Sequence, residues 1–270
     1  MSSPSFSPEN ESFEIDTTVA HPARVYDYWL GGRTNFAADR EAAQMAVAAH
    51  PDIIPAVRAN RAFLGRTVTY LAAQAGVRQF LDVGTGIPTE NNTHEVAQRI
   101  APQSRIVYAD NDPIVLAHAR TLLKSDPDGA TSYVFGDLRE PDKILGEAEA
   151  ILDLSRPVAF MLVAILQYVP GEEPYDIVER LMARAAPGSH LVISHPASDI
   201  NADEVAESMK RYNERAVSLA TPRTHAEVSR FFDDLDLLEP GVVSLPRWRP
   251  DSDTADVQDL PMWCGVGRKR

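Results

Sequence analysis

The sequence predicts a doubly wound α/β domain, a mostly parallel sheet with helices on both faces, preceded by a helical N-terminal extension. Three observations point there. Short apolar runs alternate with helix-like stretches from Gln79 to Ser194, a glycine-rich turn, Gly84-Thr85-Gly86, follows the first run, and an acid stands at or just after the end of each of the first three runs, as Asp82, Asp110 and Asp137. Parallel strands joined by helical crossovers require right-handed connections and cover on both sheet faces.

Taken in order, the opening residues to Asp16 have the serine, proline and clustered charge of a poorly packed tail, which is bounded at residue 20. From His21 to Gly76 the apolar spacing is helical: Val25, Tyr28 and Trp29 share a face, and Ala56, Ala59, Phe63, Val68 and Leu71 continue a stripe after Pro55. Two or three helices are expected, interrupted at Gly31-Gly32 and punctuated by Pro51 and Pro55. Strands are then expected from Gln79 to Val83, Arg105 to Ala109, Ser132 to Phe135, Pro157 to Val163 and His190 to Ser194. Between them lie helical patterns from Glu90 to Ile100, Pro113 to Lys124, Pro141 to Leu152 and Pro174 to Ala185, several with proline in first place. Asn201 with Glu204, and Thr224 with Glu227, have capping-box spacing, predicting helices that begin near Ala202 and His225. The β-rich stretches Leu237 to Leu245 and Met262 to Gly267 suggest a hairpin-like pair at the sheet edge, separated by a Pro/Asp-rich loop holding Trp248. The expected division is a flexible tail at 1–20, a helical extension or lid at 21–76, and a cofactor-binding domain at 77–270.

Composition narrows the function. The chain of 270 residues carries 26 Lys and Arg against 39 Asp and Glu, a formal charge of −13. Phosphate backbones need a basic footprint, so nucleic acid is not an expected partner. The lone Cys264 forms no internal disulfide and no zinc site, which fits a reducing cytoplasm. No signal peptide is read at the start, and the longest near-apolar run, Val158 to Val169, is too short to cross a bilayer, so no membrane partner is expected.

The glycine turn carries the chemistry. Gly84 and Gly86 let the backbone turn tightly and come close to a ligand, as at a nucleotide-binding βα turn. The dinucleotide fingerprint needs a third glycine where this chain has Thr89, and Asp82 two residues before the first glycine would repel a pyrophosphate; no lysine follows, so a P-loop is excluded. S-adenosylmethionine suits the charges, having a sulfonium, an amino group and no phosphate. Asp82 then faces the amino acid end, Asp110 beside Asn111 takes both ribose hydroxyls, and Asp137 accepts from the adenine amine while Leu138 covers the ring. The plain alternatives are a capping role for Asp82 and a loop acid at Asp137. Asp112 and Pro113 suit the N-cap and first residue of the next helix.

The run from His21 through Tyr26-Asp27-Tyr28-Trp29-Leu30-Gly31-Gly32, with Asn35-Phe36, Asp39-Arg40, Asn60-Arg61, Pro88-Thr89 and Trp248-Arg249-Pro250, resembles an actinobacterial family of S-adenosylmethionine-dependent methyltransferase-like proteins of unknown substrate. The resemblance implies a class I methyltransferase (Rossmann-like) fold with seven strands, the last antiparallel. Members usually carry His in the segment after the fourth strand; this chain has Gln167, so no acid/base role is expected there.

The expected acceptor is an O or N atom of a small molecule, possible in secondary metabolism. A cytosine C5 methyltransferase needs a cysteine after the fourth strand, and DNA amine methyltransferases use an Asp/Asn-Pro-Pro-aromatic turn; the chain reads Ala164-Ile165-Leu166-Gln167-Tyr168 there. His94, His195 and Asp27 are the candidates for a base, should one be used. Tyr26, Tyr28, Trp29, Arg33, Asn35 and Phe36 flank a Gly31-Gly32 hinge, and of these Tyr28, Trp29, Arg33 and Asn35 are the candidates for the acceptor pocket, Tyr28 and Trp29 having helix packing as the alternative. Arg24, Arg58 and Arg61 join Arg33 as possible partners of a carboxylate. Two rivals stay open: a non-catalytic S-adenosylmethionine-binding regulator on the same fold, and a nicotinamide-dependent reductase, which Asp82 disfavours. The sequence does not set the oligomeric state.

Overall fold

Between residues 21 and 76 the chain forms three helices, α1 (Pro22–Trp29), α2 (Ala37–Ala49) and α3 (Ile53–Ala73). The computed structural model describes residues 16–115, 117, 125–250 and 258–270; most of the expected tail and of the helix expected from Pro113 to Lys124 lies outside them. Gly31, at φ +83, ends α1 in the left-handed conformation, with its N–H on the Tyr28 carbonyl. Gly32 is glycine for a different reason: a Cβ there would lie 2.0 Å from Asp27 Oδ1. The pair therefore closes a fixed corner around the Asp27 carboxylate, which accepts from Thr34 N and Asn35 Nδ2, and the hinge expectation is corrected.

The sheet follows: β1 (Gln79–Val83), α4 (Thr93–Ile100), β2 (Arg105–Asp110), a helical segment at 113–115 and 117, β3 (Ala130–Phe135), α5 (Pro141–Ala148), β4 (Ala159–Val163), α6 (Glu173–Arg184) and β5 (His190–Pro196). Then come α7 (Ala202–Asn213), α8 (His225–Ser229), the two-residue strands β6 (Asp236–Leu237) and β7 (Val243–Ser244), and β8 (Met262–Arg268). The order is β3-β2-β1-β4-β5-β8-β6, with β7 also on β8; the first five strands are parallel and β8 is antiparallel to β5. The expected doubly wound, mostly parallel sheet is thus present. The expected hairpin-like pairing is present, both short strands running antiparallel to β8; a turn closed by Gly241 N on the Leu238 carbonyl splits the first limb into β6 and β7, and β8 lies inside the sheet between β5 and β6.

Every residue of β1 is buried because helices cover both faces. Phe80 points into the cluster that includes Phe63, Leu71 and Val96 of α3 and α4, whereas Leu81 and Val83 point into the one that includes Ile144, Leu145 and Ile177 of α5 and α6. Trp248 plugs the first cluster: it is fully buried, packs edge-on to Phe63 at 5.4 Å, and its carbonyl accepts from Arg66 Nε.

The helical extension is closed by a part of the chain remote in sequence. Ala42, Ala43 and Ala46 of α2 form a cluster with Tyr212 of α7, and Ala20 forms a β-bridge with Ala216. Asn201, expected as an N-cap, adopts φ +50 and makes no capping bond; Glu204 instead meets His50 Nδ1 at 3.1 Å. Thr224 and Glu227 do form the expected capping box. Asp39 fastens α1 to α2: fully buried, it accepts from His21 N and Phe36 N, with Arg24 Nε at 3.6 Å. Among the described residues no helix is long and apolar enough to cross a membrane.

Removing Asp39 leaves two backbone N–H groups without their acceptor and the buried Arg24 guanidinium without its counter-charge. Asp39→Ala is expected to lose about 3 kcal/mol of unfolding free energy in a urea titration, and Asp39→Asn, which keeps one acceptor oxygen, distinctly less. An Ala variant as stable as the parent would show that the carboxylate does not hold the extension.

Candidate functional site

In the strand order, β2 and β4 flank β1, so successive connections from β1 and from β3 leave on opposite sides, and a crevice opens above the strand ends between β1 and β4. A cleft of about 1150 Å³, counted to its open mouth, occupies that place. Asp82, Gly84, Thr85, Gly86, Asp110, Asn111, Asp137 and Leu138 all line it.

The turn after β1 takes its shape from two glycines with different tasks. Gly84, at φ +72, lies against Ile165, where a Cβ would be 2.4 Å from the side chain; Gly86, at φ +66, has open space where its Cβ would be. Close ligand approach is therefore available at Gly86, while Gly84 serves packing. Asp110, at the end of β2, pins this turn. Its Oδ2 accepts from Gly86 N at 2.8 Å and its Oδ1 from Asp112 N at 2.9 Å, leaving further acceptor capacity on each oxygen. Burial holds its carboxyl above the usual range, against the lowering effect of those N–H groups and of His21.

Asp82 lies on the α3/α4 face of β1, two residues along from Phe80. Its Oδ2 accepts from Thr93 Oγ1 at 2.6 Å. Burial pushes its pKa up to about 6, opposed by that hydrogen bond and by the Arg61 charge. The helix expected from Glu90 starts three residues later because Asn92 and Glu95 form a capping box, which delivers Thr93 to Asp82. Asp112 caps the next helix as expected, accepting from Ile114 N, and its other oxygen meets His21 Nδ1 at 3.0 Å, tying the start of α1 to the cleft. Asp137 pairs with Arg139, whose Nη2 reaches the Tyr168 carbonyl.

The catalytic and acceptor-pocket candidates fare differently. His94 is buried beneath the turn with Nδ1 on Tyr108 Oη at 2.8 Å, does not line the cleft, and has its pKa lowered by burial. His195 is fully buried with Nδ1 toward the Pro196 carbonyl and Nε2 2.7 Å from Arg223 Nη1; burial drives its pKa down to about 3. Both rings are occupied by structural hydrogen bonds. Asp27 lines the cleft, but its carboxylate holds the Gly32 corner. Tyr28, Trp29, Arg33 and Asn35 do not line it: Tyr28 Oη accepts from Gln44, Trp29 Nε1 donates to the Ala43 carbonyl, Arg33 is exposed, and Asn35 braces Asp27.

Other side chains of the extension reach the cleft instead. Tyr26 lines it, its Oη accepting from Asn60 Nδ2 at 2.9 Å, while Asn60 Oδ1 accepts from Ser194 Oγ at 2.7 Å. Burial raises the Tyr26 pKa, so the phenol stays protonated. Of the four arginines singled out by sequence, Arg61 alone lines the cleft; Nη2 donates to the Glu90 and Asn91 carbonyls. Arg24 is committed to the Asp16 and Val19 carbonyls, and Arg58 is exposed. The sequence singles out Arg61 as a carboxylate partner and Tyr26 beside Gly31-Gly32, whereas the helical spacing around Asn60 gives no sign that its side chain joins them.

Known proteins match this arrangement. A protein of Mycolicibacterium paratuberculosis named as a candidate S-adenosyl-L-methionine-dependent methyltransferase is 31% identical over 172 residues, 61% of this chain and 51% of its own, so the chain spans about half the length of such curated relatives. A DUF574 family protein from Streptomyces avermitilis superposes with a TM-score of 0.91 at 43% identity, over 95% of this chain and 100% of its own. A candidate methyltransferase from Thermobifida fusca gives 0.88 at 38% identity, over 94% and 97%. The S-adenosyl methyltransferase family profile matches residues 8–270, and with a cleft at the β1/β4 crevice built on a glycine turn and strand-end acids, the chain belongs to that family.

Proposed function

We propose that the chain binds S-adenosylmethionine, the cofactor of its family, in the β1/β4 cleft and methylates an oxygen or nitrogen atom of a small molecule, one of secondary metabolism. The observation that carries this reading is Asp110: a half-buried carboxylate, fixed by two backbone N–H groups, facing a cleft with acceptor capacity to spare.

The residues fit the cofactor. A vicinal diol presents two donors to one carboxylate, which Asp110 provides. Asp82 and Arg61 offer opposite charges to an amino acid's ammonium and carboxylate groups. Leu138, largely buried, offers an apolar face to an aromatic base, and Asp137 an acceptor at its edge. Bound there, the cofactor supplies a methyl group already activated by a sulfonium. The protein's part is then to orient the reactants and exclude water. Tyr26, held by Asn60 and Ser194, is a rigid hydroxyl-bearing wall for that purpose. The charge of −13 and the burial of Cys264 within β8 support a small acceptor over a nucleic acid.

Two measurements test the reading. In titration calorimetry with S-adenosylhomocysteine, Asp110→Ala is expected to weaken binding about 10- to 100-fold, the worth of hydrogen bonds to a charged group; unchanged affinity would refute the assignment. The second uses pH. An ammonium ligand favours ionised Asp82, so protonation opposes binding. With its pKa near 6, affinity should fall about tenfold between pH 7.5 and pH 5. Asp82→Asn should flatten that profile, and a flat wild-type profile would remove Asp82 from the binding site.

A further inference from the structure

Past Ala164 a second pocket, of about 690 Å³ counted to its open mouth, lies among α1, α2, the start of α3 and α7. Tyr26, Ala164 and Tyr168 line both spaces and form the boundary between them. Ala164 sits there at φ +56, a conformation rarely adopted by a residue with a side chain. It is held by its N–H on the Ser194 carbonyl and by Gln167 Nε2 on its own carbonyl at 2.7 Å. Only a methyl group stands at this point of the wall.

The cavity is apolar and aromatic, and no Asp, Glu, Lys or Arg side chain lines it. Three buried polar atoms on its lining residues nevertheless lack a hydrogen bond of ordinary geometry: His50 Nε2, Gln167 Oε1 and Tyr212 Oη. These residues are 2%, 5% and 3% exposed, and native interiors rarely leave such atoms unpaired. Their chemistry can be assigned. Glu204 Oε2 lies 3.1 Å from His50 Nδ1, so that nitrogen carries the proton, and in the neutral ring Nε2 presents a lone pair. Gln167 Nε2 donates one N–H to the Ala164 carbonyl, which fixes Oε1 as the acceptor end of the amide, and the Tyr168 hydroxyl lies beside that amide. Tyr212 Oη has the Tyr168 hydroxyl beside it. Two acceptors await donors in an uncharged, ring-lined space that adjoins the cleft.

We propose that this cavity is the methyl-acceptor pocket and that it takes a neutral aromatic or heteroaromatic molecule whose O–H or N–H donors are received by His50 Nε2 and Gln167 Oε1. Its role as acceptor site rests on the cofactor reading of the adjoining cleft. Flat rings match the Tyr26, Trp29, Tyr168 and Tyr212 surfaces, and the absence of a formal counter-charge among the lining residues disfavours ionised ligands.

The test uses the full chain saturated with S-adenosylhomocysteine and follows phenol, catechol and indole by saturation-transfer NMR, with benzoate and benzylamine as charged counterparts. At least one neutral probe is expected to bind and the charged ones are not. His50→Phe, which removes an acceptor, and Ala220→Phe, which fills the cavity from another side, are each expected to weaken the probe tenfold or more while leaving S-adenosylhomocysteine affinity within twofold. Normal cofactor-product binding with no neutral probe bound, with charged probes bound equally well, or with probe affinity unchanged in the variants would overturn the pocket assignment. Failure of S-adenosylhomocysteine itself to bind the wild type would overturn the cofactor reading instead. Should one variant not fold, the other decides.

Discussion

The Asp110 carboxylate is the constraint around which the site is arranged. It ends β2, accepts from the Gly86 N–H in the turn after the neighbouring β1 and from Asp112 two residues on, and so couples the glycine turn after β1 to the loop after β2. That coupling sets where the backbone stands open at Gly86 and where Asp112 reaches His21. A carboxylate shared in this way cannot move without disturbing both loops. Its raised pKa records the burial it bears for being there.

A second carboxylate, Asp39, does for the helical extension what Asp110 does for the sheet end. It gathers the starts of α1 and α2, and α7 closes over the small-residue face of α2. The two systems meet at Tyr26 and Tyr168, where the charged cleft gives way to a neutral, apolar space. The proposed division of labour follows from dielectric environment: charged groups of a ligand are favoured near Asp82, Arg61 and Asp110, and apolar rings behind Ala164.

The sheet was legible because β1, β2, β4 and β5 are buried by helices on both faces and must be near-continuous apolar runs, a pattern that needs no knowledge of partners. The strand-end acids were legible for a related reason: in such a run a carboxylate is conspicuous, and Asp82, Asp110 and Asp137 arrive at one crevice by topology alone. The extension was not. An aromatic-rich helix such as α1 shows that Tyr26, Tyr28 and Trp29 will be partly buried but not which of them faces the cleft; Tyr26 lines it and Tyr28 turns to Gln44. Nor does the sequence near His50 announce Glu204, which lies 154 residues away on a helix whose capping signal pointed to a different use of that glutamate. A histidine in sequence carries no mark of whether its ring is already hydrogen-bonded, as His94 is to Tyr108 and His195 to Arg223.

The most direct measurement is a crystal structure of the full chain with S-adenosylhomocysteine. The account predicts both ribose hydroxyls within hydrogen-bonding distance of the Asp110 carboxylate and the adenine against Leu138. A ribose bound away from Asp110, or a ligand seated outside the β1/β4 cleft, would contradict it.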